Sequence, residues 1–282
     1  MLNTLVDTHA HVFTPDLPMV ANRRYTPARA ADTGQYLRLL DAHGVGFGVL
    51  VQPSFLGTDN SYMLAALEQS PDRLCGIAVV DTGIKDAELE LLSLQGITGI
   101  RFNLVGDDPG KLRLPEYRSL VRRVAELGWQ IEIQAEGGDI PGVLKNLAFS
   151  SAPVVIDHFG KPDPRHGTGC RGFQTLLDHG PGGNVYVKTS ASYRCGGADT
   201  RPYFEALMEY LGPDRLLWGS DWPWTQFEAG RAFALLPGFR RDQPREPSWA
   251  ELFAGTALSL FFPVVLQRQE RMQERIPALA VA

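Results

Sequence analysis

The sequence predicts a single-domain (β/α)8 barrel, and three observations carry that expectation. Short apolar runs recur eight times along the chain, separated by amphipathic stretches. Most of these runs are apolar throughout rather than alternating, as parallel strands buried on both faces require. Polar residues with useful chemistry fall at the ends of several runs, where barrels of this kind build their sites. A chain of 282 residues, 44% of them hydrophobic, suits one barrel of ~250 residues. The alternative, an open doubly wound sheet, lacks the G-x-G-x-x-G that would follow its first strand.

The elements read in order. The first strand is expected at residues 4–9. The loop at 14–31 then carries Pro15, Pro18, Pro27 and the run Arg23-Arg24-Tyr25, and should lie over the barrel mouth. Asp32 or Thr33 can cap a helix over 33–43, which Gly44 stops. Strands follow at 46–52, 74–80 and 99–104. Pro115 suits the first turn of a helix at 115–127 that stops at Gly128. Strands at 130–135 and 154–158 precede a polar loop at 160–172, rich in Gly and Pro. A strand at 185–189, a helix between Thr200 and Gly212, and a last strand at 216–220 complete the pattern. The tail at 267–282 reads as a terminal helix with a frayed end.

Composition narrows the function. The net charge is -5 with a pI near 5.7, and no basic stripe is present, which argues against nucleic acid or an anionic membrane as partner. An anionic small molecule would need local Arg or Lys in its pocket. Cys75, Cys170 and Cys195 lack C-x-x-C spacing and read as reduced thiols of a cytoplasmic protein. The first residues, MLNTLVDTHAHV, lack the basic and apolar regions of a signal peptide. No apolar run reaches the ~20 residues of a membrane span.

The chemistry centres on His9, His11, His158 and Asp221. On a strand, residues i and i+2 share a face, so His9 and His11 can share one ligand if the strand persists to Val12. With His158 and Asp221 at other strand ends they form a plausible set for one divalent ion. Hydrogen-bonded core histidines are the plainer reading of an isolated H-x-H. Asp221 is the best general base, able to hold and deprotonate one water. His158, with Lys161 nearby, can polarise a carbonyl and stabilise an oxyanion. His9 and His11 would position substrate and orient Asp221 or water. Arg101, Lys161 and Arg194 lie near strand ends, and convergent arginines favour an acidic ligand. Ser54 and Ser220 sit in no G-x-S-x-G elbow, so a serine hydrolase is not expected.

The segments DTHAHVF, HFGKP and GSDWP resemble the amidohydrolase superfamily (amidohydrolase 2 type), and within it the lactonases related to 2-pyrone-4,6-dicarboxylate hydrolase. VLVQPSFLGTDN, GIRFNL and VKTSASYR fit the same pattern, so the resemblance runs from Asp7 to about Phe262. It implies a (β/α)8 barrel that hydrolyses an ester, lactone or amide-like bond. It also implies substrate roles for Tyr25, Ser54 and Gln134. Metal-dependent members of the superfamily add a Lys or Glu on the fourth strand and a His on the fifth. Here Arg101 and Gln134 occupy those strands. Gln is a poor zinc ligand, and a cation beside a divalent ion opposes binding. The lactonase branch implies catalysis without metal, so no cofactor is expected; the alternative is one Zn or Mn at His9, His11, His158 and Asp221. The branch also carries a further arginine after the fourth strand, where this chain has Val105-Gly106-Asp107-Asp108-Pro109. One substrate carboxylate is therefore expected to be well paired and a second one poorly.

The expectation is a cytoplasmic lactonase acting on a small carboxylated lactone in aromatic or sugar-acid catabolism, with a homo-oligomer left open. The alternatives are a metal-dependent amidohydrolase or non-oxidative decarboxylase, and a catalytically silent barrel that binds an organic acid.

Overall fold

In the computed structural model, which describes residues 5–231, 233 and 249–263, eight parallel strands pair in sequence order. They are β1 (Val6–Ala10), β2 (Phe47–Val51), β3 (Leu74–Ala78), β4 (Ile97–Asn103), β5 (Gln130–Gln134), β6 (Val154–Ile156), β7 (Val185–Lys188) and β8 (Leu216–Leu217). Backbone hydrogen bonds close the circle between the last strand and the first. Thr8 N donates to Trp218 O at 3.0 Å, Asp221 N to His9 O at 2.8 Å and His11 N to Trp222 O at 2.8 Å. The expected (β/α)8 barrel is what forms, and every residue of β1, β2 and β3 is buried, in line with the unbroken apolar runs.

Helices alternate with the strands: α1 (Thr33–His43), α2 (Ser61–Gln69), α3 (Asp86–Leu94), α4 (Pro115–Glu126), α5 (Ile140–Leu147), α6 (Arg171–Leu177), α7 (Arg201–Tyr210) and α8 (Trp249–Phe261). The bounds of α1 follow from its ends. Asp32 and Gln35 form a reciprocal capping box, and Gly44 turns left-handed at φ 66. The loop expected at 160–172 is shorter than its composition implied, because α6 begins at Arg171. On α8, Ala257, Leu258 and Phe261 pack with Val6, Phe47 and Cys75 near the strand starts. That plugs the end of the barrel away from the histidines. The expected tail at 267–282 lies outside the described residues. No described helix is long and apolar enough to cross a membrane.

Close packing fixes the loops over the mouth. A Cβ on Gly172 of α6 would sit 1.7 Å from the backbone O of Gly137, in the loop after β5. Gly142 on α5 has open space around it. Gly172→Ala should therefore destabilise the protein by about 1–3 kcal/mol or more, as overpacking does. Gly142→Ala should stabilise it by about 0.5–1 kcal/mol through helix propensity. Urea unfolding of the two variants checks this; equal stabilities would show that α6 does not pack on the β5 loop as described.

Candidate active site

The site begins with an irregularity in β1. Strict alternation would put Asp7 on the same face as His9 and His11, but the pairing register shifts between Asp7 and Ala10. The Asp7 carboxylate instead accepts hydrogen bonds from Tyr36 Oη of α1 (3.0 Å), Ser220 N (2.7 Å) and Ser220 Oγ (2.6 Å). Burial raises its pKa to about 6 against these bonds. Asp7 thus ties α1 to the β8–β1 seam, and Ser220 is spent on that tie.

His158 and Asp221 lie beyond their strands rather than on the strand ends expected. β6 stops at Ile156 and β8 at Leu217. Both residues are left-handed, with φ 52 at His158 and φ 56 at Asp221, as are nearby Lys161 and Ala191. A left-handed residue cannot continue an extended strand, so β6 cannot run through His158. Each such residue costs about 1–3 kcal/mol, and such strain gathers at functional sites. Backbone bonds hold the turn: Asp221 N to His9 O, and Trp224 N to Asp221 O at 2.7 Å.

These turns bring the four expected residues together. The Nε2 atoms of His9, His11 and His158 stand 3.6, 3.8 and 3.9 Å from one atom, Oδ1 of Asp221. Tyr193 Oη and Arg194 Nε both donate to the other oxygen, Oδ2, at 2.6 Å. Oδ1 and His9 Nε2 take no hydrogen bond among the described residues. His11 Nδ1 lies 2.7 Å from Val51 O. A carbonyl only accepts, so Nδ1 carries the proton and His11 Nε2 is bare. His158 Nδ1 meets Ser190 Oγ at 2.9 Å.

The charged groups below the cluster were not legible in the sequence. Glu132 on β5, Asp157 after β6 and Lys188 on β7 are all fully or almost fully buried. Lys188 pairs with Glu132, and Arg101 with Asp157 at 2.9 Å. Burial and the neighbouring Asp157 push Glu132 up to about 7. Burial also opposes ionisation of Asp157, but His9, Lys188 and Arg101 hold it well below the usual carboxylate range.

A cavity of about 170 Å³ opens above Asp221 at the C-terminal end of the strands, room for a small ligand. Of the ten residues singled out from sequence, nine line it: His11, Tyr25, Ser54, Arg101, Gln134, His158, Lys161, Arg194 and Asp221. His9 sits beneath, wholly buried. Several cations expected to await substrate already have partners: Arg101 holds Asp157 and Gln134, Arg194 holds Asp221, and Lys161 pairs with Glu136. The Tyr25 hydroxyl donates to Glu228. Arg24, from the loop after β1, also lines the cavity. Its one hydrogen bond is a long one to Asn103 Oδ1, 3.3 Å, and it makes no ion pair among the described residues. Its place in a long loop after the first strand was the available signal.

The amidohydrolase family pattern matches residues 6–262, nearly the whole chain. The chain belongs to the amidohydrolase family. Among its relatives, a 2-pyrone-4,6-dicarboxylate hydrolase of Comamonas testosteroni is 33% identical over 237 residues, covering 77% of this chain and 76% of the relative. A 4-sulfomuconolactone hydrolase of Rhizobium radiobacter is 33% identical over 225 residues, covering 77% and 75%. A solved structure assigned as a 2-pyrone-4,6-dicarboxylic acid hydrolase from Acinetobacter baumannii, with citric acid bound, is 34% identical with TM-score 0.78, covering 95% of this chain and 94% of that one.

In this amidohydrolase two overlapping groups of donors could hold one divalent ion, His9 with His11 and Asp221, or His9 with Asp157 and His158. Charge does not suit it. Three of the buried carboxylates already face a cation each, Asp157 with Arg101, Glu132 with Lys188 and Asp221 with Arg194, and a fourth, Asp7, is held behind the seam. The carboxylates nearest the imidazoles are thus already offset by cations, which weakens the counter-charge a dication would meet there.

Burial lowers the pKa of His9 to about 3, and burial with the Arg101 charge lowers that of His11 to about 4. Burial alone would raise the Asp221 pKa, but Arg194 and the facing imidazoles hold it well below the usual range. All are lowered, so the working state, neutral imidazoles with ionised Asp221, is present above these values and lost as pH falls through about 4. A pH–rate profile in kcat/KM should therefore show no histidine limb between pH 8 and about 5, and any inflection there belongs to Glu132 or Asp7 and should be lost in Glu132→Gln or Asp7→Asn. An acid limb near 6.5, the ordinary histidine value, that survives both substitutions would contradict the burial of this cluster.

Proposed function

We propose that this lactonase opens a small lactone bearing anionic groups, using a water activated by Asp221 and no metal. The observation that carries the reading is the Asp221 carboxylate. One oxygen is locked by Tyr193 and Arg194, and the other is unbonded at the focus of three imidazoles. A water held on Oδ1 can pass its proton to Asp221 as it attacks the lactone carbonyl. The carbonyl oxygen gains negative charge, which N–H donors around the cavity stabilise. The tetrahedral intermediate then collapses, the ring C–O bond breaks and the leaving oxygen takes back the proton. The product is a hydroxy acid, or its keto tautomer when the ring oxygen leaves as an enol. Because Arg194 keeps the Asp221 pKa low, proton transfer must accompany attack, when the water's own acidity rises.

The substrate class follows from charge. The relatives' names denote lactones with carboxylate or sulfonate groups. The acids Asp107 and Asp108 after β4 led to the expectation that a second anion would be poorly paired. Arg24, the cavity arginine without an ion pair, offers such an anion a partner from the opposite loop. Tyr25, Ser54, Gln134 and Lys161 then shape and orient the substrate from the remaining walls.

Three outcomes test the reading. A panel of carboxylated lactones, followed with a pH indicator, should be turned over equally with and without chelator; activity that chelation abolishes and Zn or Mn restores favours the metal-dependent reading that the donor spacing allows. Asp221→Asn should cut kcat by ~10²–10⁴-fold, the range for loss of a general base. A folded variant with near wild-type turnover removes Asp221 from the mechanism. Arg24→Met should lower kcat/KM for a dianionic lactone by about 10-fold or more, since a charge-assisted bond contributes ~1.5–3 kcal/mol. It should spare a monoanionic lactone. Equal losses on both would place Arg24 outside the anion contacts.

A further inference from the structure

We infer that Lys188 holds His9 as a hydrogen-bond donor toward the substrate, and in doing so keeps a divalent ion off the three-imidazole cluster. Lys188 is fully buried at the end of β7, one layer below Asp221. Its Nζ bonds to Glu132 Oε2 and lies 3.1 Å from His9 Nδ1 and 3.6 Å from Asp157 Oδ1. An ammonium has three N–H donors and no lone pair. Those three atoms are the acceptors it has.

Two carboxylate oxygens also lie near His9 Nδ1: Asp157 Oδ1 at 3.2 Å and Glu132 Oε1 at 3.4 Å. Asp157 Oδ1 is near enough to compete for a proton on Nδ1, but its direction from the ring is poorer than that of Lys188 Nζ at 3.1 Å. The ring nitrogen is directed at Lys188 rather than at them. A proton on Nδ1 would face the ammonium's own hydrogens and leave Lys188 with one good acceptor. The arrangement therefore makes Nδ1 the acceptor and places the proton on Nε2.

His9 and His11 are then not equivalent, although the H-x-H spacing puts them on one face. His11 has its proton on Nδ1, bound to Val51 O, and a bare Nε2. His9 has Nε2–H pointing into the space shared with Asp221 Oδ1, 3.6 Å away. One imidazole accepts and the other donates, which suits a water and a developing oxyanion side by side. A metal needs both Nε2 atoms bare. It could bind only if His9 moved its proton to Nδ1, where Lys188 stands. Metal-binding histidines ordinarily give that second proton to a carboxylate or carbonyl; here an ammonium is the nearest and best-directed group, ahead of the Asp157 and Glu132 oxygens. Lys188 is thus a positioning residue that acts through His9.

The inference rests on the metal-free reading above, but its test does not depend on turnover. Long-range ¹H–¹⁵N spectra of histidine-labelled wild-type protein, with His9 assigned by its loss in His9→Gln, should show the proton on Nε2. A proton on Nδ1 overturns the inference. Zinc affinity of metal-stripped wild type, Lys188→Met and Lys188→Gln is then measured against a competing chelator. Each folded variant should bind Zn about 10-fold or more tightly than wild type, the scale on which partners of metal-binding histidines act, with the His9 proton moved to Nδ1. Unchanged or weaker Zn binding in folded variants overturns the inference. If both variants unfold, the wild-type spectra decide alone. A protein that opens no lactone but shows His9 Nε2–H refutes the functional reading and leaves this inference standing; lactone turnover with Nδ1–H does the reverse.

Discussion

The approach of three imidazole nitrogens to one oxygen of Asp221 organises the mouth of this barrel. It depends on the seam where the last strand meets the first. Asp221 N bonds to His9 O, so the residue bearing the carboxylate and the residue bearing the imidazole are tied through the backbone. Asp7 reinforces the seam from outside by holding Ser220 and Tyr36. Loosening that seam by even a fraction of an ångström would change every Nε2–Oδ1 separation together. Left-handed residues at His158 and Asp221 are the conformational cost of turning both side chains inward.

Below the mouth the interior is unusually charged for a barrel core. Glu132, Asp157, Arg101 and Lys188 form a closed group, each group within ion-pair reach of another. Removing one member of such a buried pair typically costs ~3–5 kcal/mol, because its partner is left buried and uncompensated. The group also sets the field that the site feels. Burial disfavours protonation of the imidazoles, with Arg101 adding to it at His11 and Asp157 and Lys188 opposing one another at His9, while Arg194 keeps Asp221 ionised. On the proposed reading, a substrate anion then falls to cations facing the open cavity, of which Arg24 has the fewest partners among the described residues.

Much of this was legible in the sequence, and for physical reasons. Apolar runs without alternation report strands buried on both faces, so all eight strands fell close to their places. Caps such as Asp32 with Gly44 fix helix ends locally, and α1 has the bounds they imply. His9, His11, His158 and Asp221 could be grouped because the barrel brings strand ends together whatever their separation along the chain. Pairings across the barrel could not be read. Arg101 and Arg194 looked free to meet substrate, yet each is engaged by a carboxylate from a distant element. Glu132 in QIEIQ and Lys188 in VYVK sit in otherwise apolar runs, and a charge there signals a partner without naming it. The irregularity that turns Asp7 away from His9 leaves no mark in the residue pattern at all.

The central claim is that Asp221 activates water rather than attacking the lactone itself. A single turnover in H₂¹⁸O, with enzyme in excess over lactone, tests it most directly. Water activation predicts one ¹⁸O in the new carboxylate of the first product formed and none in Asp221. An unlabelled first product, with ¹⁸O recovered in the peptide containing Asp221, would show covalent attack by the carboxylate and contradict the account.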